Sequence, residues 1–178
     1  MKTINRISVL ILMVMTVTGC MKSKLETTYN SQESRIDSYI NGKGEGYRVV
    51  RNGGANRLVL TEGSGEELGH NGYVSFYYAG YVFNGSVSSS NLFITNHQAT
   101  AEQAGWDLTD AGYELYEINL GEARLVQGLK DGLYGVKAGE ECEIIFSGKY
   151  GFGNENFGII PANSALLYKI WVAGVSND

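Results

Sequence analysis

Few side chains in this chain have the types and spacing that covalent or metal chemistry requires. His70 and His97 are the two histidines, and they lie in separate loop-like stretches. No cluster of His, Cys, Asp and Glu falls at metal-ligand spacing, so neither a metal nor another cofactor is expected. No serine sits in a G-x-S-x-G elbow, and the glycine-rich run from Asn41 to Gly46 lacks the spacing of a phosphate loop. What remains is the stretch from Gly148 to Val172. It opens on the aromatic–glycine alternation Tyr150-Gly151-Phe152-Gly153, crosses a polar loop, and continues as Gly158-Ile159-Ile160-Pro161. Glycines let such a backbone turn sharply and approach other atoms closely. Two aromatics and two isoleucines on it read either as the wall of an apolar pocket or as a hairpin whose apolar residues cap the core. The chemistry such a wall offers is binding.

The elements that would position this loop follow from hydrophobic pattern. Ala165 to Val175 reads as a buried strand, as does Cys142 to Ser147. Val74, Phe76 and Tyr78 alternate with Tyr73, Ser75 and Tyr77, which predicts a strand with one face on the core. Tyr47 to Arg51, Arg57 to Thr61 and Leu115 to Leu120 complete about six strands, with Asn52-Gly53-Gly54 as a turn signal between the first two of these. Leu125, Val126, Leu129 and Leu133 follow at helical spacing. Gly128 and Gly132 inside that helix are unfavourable by about 1 kcal/mol each against alanine, but they would let it lie close against a concave sheet. The 24 glycines are about twice the usual share and the single proline gives no stiff linker. One short helix tucked into a curved antiparallel sheet of five to six strands, an α+β fold, is expected. With no basic bias, nucleic acid is not an expected partner.

The first nineteen residues read as a leader. Lys2 and Arg6 form a positive n-region, and Ile7 to Val17 is an apolar run too short to span a membrane comfortably. The run ends in Val17-Thr18-Gly19-Cys20, which resembles the bacterial lipobox, with Cys20 as the lipidated residue. Removing Lys2 and Arg6 takes the formal charge from −5 to −7. Lipidation of Cys20 would leave Cys142 without a partner, as a small apolar residue with no catalytic role. Residues 20–29 are expected to form a polar tether. Residues 30–56 would carry a short helix and the first strand, with Asn30 and Glu33 as a capping box and Ile36 and Ile40 on the face that docks on the sheet.

Three blocks in order resemble the FKBP-type peptidyl-prolyl isomerases. They are Ser75 to Tyr81, reading SFYYAGY, then Asn119 to Glu140, reading NLGEARLVQGLKDGLYGVKAGE, and then YGFG followed by GIIPANSALLY. The resemblance runs from about Arg57 to Val175 and implies the family's fold over residues 57–178. It implies a pocket built from Tyr78, Tyr116, Leu125, Val126, Leu129, Phe152, Ile159, Ile160 and Tyr168, with Phe93 at its rim and the backbone N–H of Val126 binding a ligand carbonyl. Each of these could equally be a core residue. Three departures stand out. Phe152 replaces a tyrosine, and Leu129 replaces a floor residue that is often tryptophan. The family's Phe-Asp pair matches either Phe93-Ile94-Thr95 or Val87-Ser88-Ser89, and the acid is absent both ways. An insertion of about 84–113 separates the blocks, and it reads equally as a functional lid or as a satellite cluster packed on the sheet. Thr100 to Trp106 is predicted as a short helix there, with Thr100 and Gln103 as a capping box.

The resemblance implies an isomerase acting on prolyl polypeptides. Tethered through Cys20 in a bacterial cell envelope, on the periplasmic face or the cell surface, it would be a monomer that assists the folding of envelope proteins. A catalytically weak binding or chaperone module on the same pocket is the alternative, and an apolar small-molecule site is a third reading.

Overall fold

The computed structural model describes residues 3–108 and 112–178, with side chains from Lys22 onward. The N-terminal apolar run, Ile7 to Val17, and Cys20 are helical in backbone, and their side chains lie outside the described ones. Helix α1 spans Thr3–Gly42. The strands are β1 Arg48–Asn52, β2 Ala55–Thr61, β3 Tyr73–Val82, β4 Leu92–Thr95, β5 Tyr116–Asn119, β6 Glu141–Phe146 and β7 Leu166–Ser176. Helix α2 is Gln98–Gln103 and helix α3 is Gln127–Leu133. The strands form one antiparallel sheet in the order β1-β2-β6-β7-β3-β4, with β5 also pairing β3. Strands β4 and β5 share one edge of β3, β5 along Tyr73–Phe76 and β4 along Ala79–Tyr81. Strand β4, Leu92–Thr95 inside the insertion, is the seventh strand.

Side chains alternate across this sheet, as period-two geometry requires. Phe76, Ile144, Phe146, Tyr168 and Ile170 point to the inner face, where Leu129 and Leu133 of α3 meet them. A Cβ on Gly128 would overlap the Phe146 ring, and one on Gly132 would meet the Ile144 side chain. Two glycines that weaken α3 in isolation are therefore what let its backbone sit on β6. Leu58, Ala79, Tyr81, Ile145 and Leu167 point to the outer face, where Ile36 and Ile40 of α1 cover them.

Residues 20–29 continue α1 as helix, and Asn30 with Glu33 marks no helix start. No glycine or proline interrupts Met21 to Ile40. The serines and threonines that looked like breakers bond back one turn instead, Thr27 Oγ1 to the Ser23 carbonyl at 2.9 Å and Ser38 Oγ to the Ser34 carbonyl at 2.8 Å. The outer-face contact then rewards continuing the helix to its apolar end. The capping box at Thr100 is likewise absent. Helix α2 starts two residues earlier, and the Thr100 hydroxyl lies 2.9 Å from Nδ1 of His97, the residue that precedes the helix.

Candidate functional site: an aromatic cavity on the inner face

Where α3 ends, the inner face of the sheet is left open, and a cavity of about 620 Å³ lies there. The side chains named from the sequence come to it from separate segments. Tyr78 arrives on β3, Phe93 on β4, Tyr116 at the start of β5, and Leu125 and Leu129 at the head of α3. Phe152, Ile159 and Ile160 come from the loop after β6, and Tyr168 from β7. Val126 is the exception. It precedes the first turn of α3 and packs on the inner core without lining the cavity. Its carbonyl accepts from the Leu129 and Lys130 N–H groups at 3.1 Å each, and its own N–H has no partner among the described residues.

The rings hold one another edge-on. Tyr78 meets Tyr116 with centroids 5.8 Å apart, Phe76 meets Tyr116 at 5.6 Å, and Phe93 meets Tyr168 at 5.8 Å. Such T-shaped contacts suit the ring quadrupole and fix orientation as well as area. Phe152 lies flat on Phe157 at 4.7 Å. A Cβ on Gly80 would meet Phe93, Ile94 and Tyr168, so glycine there lets the two aromatic walls close on β3. No charged side chain lines the cavity among the described residues. Burial pushes the Tyr78 phenol above its ordinary range, with Tyr116 adding to the effect. Burial and Tyr78 do the same to Tyr168. Both stay protonated at neutral pH, so each hydroxyl is a hydrogen-bond donor in an otherwise dry site.

Backbone bracing beneath Tyr78 comes from the insertion. The Tyr78 N–H donates to Asn96 Oδ1 at 2.6 Å, and Thr95 Oγ1 donates to the Tyr78 carbonyl at 2.7 Å. Asn96 Nδ2 reaches on to the Glu114 carbonyl at 2.9 Å, joining the middle of the inserted segment to the chain just after its end. Phe93 stands on the cavity wall, whereas Val87 packs on the outer core. Ile94, 40% exposed, follows Phe93 in the lining.

Sequence reasoning missed Phe76, Leu92, Ile94, Trp106, Phe157 and Gly158 in the lining. Phe76 was legible as core by alternation, and its ring serves both roles. Trp106 and Phe157 carried only the weak signal of large apolar groups in polar loops. Through Trp106 the insertion contributes to the cavity, while Ala104 packs on the outer core, so the segment is both wall and satellite. Among the described residues no group of three or more His, Cys, Asp and Glu is placed to hold a metal.

Residues 65–173 match the FKBP-type peptidyl-prolyl cis-trans isomerase family. The chain belongs to that family. It is 23% identical over 117 residues to FK506-binding protein 1 of Aspergillus oryzae, covering 66% of this chain and 94% of the relative. It is also 23% identical over 126 residues to a peptidyl-prolyl cis-trans isomerase of Schizosaccharomyces pombe, covering 70% and 96%. The crystal structure of FkpA from Escherichia coli shares the fold, with a TM-score of 0.56 at 19% identity over 95% of this chain and 70% of that one.

Proposed function

We propose that this chain catalyses cis–trans isomerisation of prolyl peptide bonds from a lipid-anchored position in a bacterial cell envelope, where it assists the folding of envelope proteins. The observation that carries the activity is the aromatic cavity itself, whose walls come from β3, β4, β5, α3, β7 and the loop after β6. Prolyl rotation is slow because the planar amide must lose conjugation, a barrier of about 18–20 kcal/mol. Water favours the polar planar amide, so a site that excludes water and grips a proline ring favours the twisted one. Phe76, Leu129, Ile160 and Tyr168 supply the dry floor. The Tyr78 and Tyr168 hydroxyls and the Val126 N–H are donors that could hold the neighbouring carbonyls. The anchor rests on Val17-Thr18-Gly19-Cys20. If the chain is cut before Cys20, α1 still runs from there to Gly42, and the stretch before Tyr29 docks on Asn163 is a strut of about 13 Å between lipid and domain.

A second reading is favoured by the absence of the family's acid, by Phe152, and by the apolar rim. Phe157 is 62% exposed and Ile159 is 69% exposed. This is the surface of a module that binds unfolded chain without turning the bond. A prolyl tetrapeptide isomerisation assay on the wild type and on Phe152→Tyr separates the readings. Turnover that rises a few-fold in Phe152→Tyr, about the worth of one hydrogen bond, supports the enzyme. Peptide binding with rotation at the uncatalysed rate in both proteins supports the binding module.

A further inference from the structure

The loop from Gly148 to Ser164 carries four cavity residues, Phe152, Phe157, Ile159 and Ile160. Its base is closed from the opposite side of the molecule. A Cβ on Gly148 would overlap the Asn163 backbone, so the two ends of the loop touch. One side-chain amide bridges them. Gln32 of α1 accepts from the Gly148 N–H at 2.8 Å through Oε1 and donates to the Asn163 carbonyl at 2.7 Å through Nε2. One turn earlier, Tyr29 donates its hydroxyl to Asn163 Oδ1 at 2.7 Å.

Asn163 passes this restraint into the loop. Its N–H donates to the Gly153 carbonyl at 2.7 Å, beside Phe152, and its Nδ2 donates to Asn154 Oδ1 at 2.8 Å. It is the one non-glycine residue with a positive φ, 56°, among the described residues, a conformation that asparagine tolerates better than most. Beyond it, Phe157 and Ile160 exchange two backbone hydrogen bonds of 2.9 Å, which present Ile159 outward and Ile160 inward. Helix α1 is itself held independently of this loop, by buried Ile36 and Ile40 and by the Tyr39 hydroxyl, which donates to Glu143 at 2.8 Å. A fixed helix on the outer face therefore grips both ends of the loop that walls the inner face.

We infer that Tyr29, Gln32 and Asn163 are positioning residues for the cavity, and that α1 sets the shape of its rim. The affinity part of this inference rests on the cavity being the prolyl-peptide site. The test uses the full chain and two readouts, hydrogen exchange of the backbone amides and affinity for a blocked Ala-Leu-Pro-Phe peptide followed by chemical shifts. In Gln32→Met, amides of 148–164 should exchange about ten-fold faster while those of β6 stay protected, and the peptide should bind several-fold more weakly. Gln32→Glu keeps the acceptor for the Gly148 N–H and should fall between. Asn163→Gly, which keeps the left-handed backbone, should loosen the loop in the same way and serves if Gln32→Met does not fold. Unchanged exchange in the loop overturns the inference, as does equal loosening of β6, which would mark a general structural role. A looser loop with unaltered peptide affinity also overturns it. If the loop loosens but the wild type binds no peptide, the positioning stands and the prolyl-site reading falls.

Discussion

The two faces of one sheet have opposite fates. Both are apolar, and both have a helix laid against them. On the outer face, α1 brings Ile36 and Ile40 onto Leu58, Tyr81, Ile145 and Leu167, and cover is complete, with Ile36 wholly buried. On the inner face, α3 is only seven residues long and covers one end, leaving the rings of Tyr78, Tyr116 and Tyr168 around an open cavity. The difference lies in helix length and reach, for the outer face carries buried Glu143 and Asn56 among its apolar residues and is still covered. Stability should therefore concentrate on the outer face and at the closed end of the inner one, and peptide affinity at the open end.

The largest test is at the closed inner end. Arg57, 3% exposed, donates to the carbonyls of Gly132, Tyr134 and Gly135 and lies 3.2 Å from Glu140, which is fully buried. Arg57→Met leaves the buried acid with only the longer Arg48 contact at 3.9 Å, and three carbonyls without donors. It should cost about 3–5 kcal/mol in denaturant unfolding. Leu58→Ala on the outer face comes next, at about 2–5 kcal/mol, with turnover per folded molecule unchanged. A loss of turnover matching the loss of stability would show that the two faces are not separable. At the open end, Trp106→Ala or Phe157→Ala should shift stability by no more than about 0.5 kcal/mol, as surface changes do, yet weaken prolyl-peptide binding several-fold. If stability falls and binding holds, the rim is core rather than site.

The smallest effect concerns pH. His97 stacks on Trp171 at 4.1 Å, and burial lowers its pKa against a weaker opposing pull from Glu141. A histidine harder to protonate when folded binds fewer protons than the unfolded chain. Stability is then fully present above the unfolded value of about 6.5 and declines as pH falls below it. The melting temperature should drop on acidification from pH 7 to 5.5, and His97→Phe, which keeps the stack, should flatten that slope. For the anchor, Cys20→Ser should abolish partitioning into detergent. Continued partitioning would remove the lipid from the proposal.

Strand β3 was legible because alternation is enforced wherever one face is buried, and β6 and β7 were legible as continuous apolar runs because both their faces are covered. The glycines of α3 announced their close approach through the penalty they otherwise carry. Ten side chains were named for the site through family blocks, and the structure brings nine of them to one cavity. Trp106 and Phe157 were not read as walls, because nothing local tells which face of the sheet a loop will reach. The bracing by Asn96 and the grip of Gln32 join residues far apart in the chain, so no periodicity could announce them. The helical form of residues 20–29 was not legible because their polar composition describes a solvated helix face as well as an irregular linker.

The sheet order has a consequence for when this domain can form. Strand β7, made after the other six strands, lies between β6 and β3 and pairs with both. Until Leu166–Ser176 has been synthesised, β1, β2 and β6 cannot join β3, β4 and β5, and neither core cluster has its middle. The nascent chain must therefore wait without its complete sheet, and structure is gained in one late step that closes both faces together. Such non-local closure is slow beside helix formation, so the isolated halves of the sheet stay open until the last strand arrives.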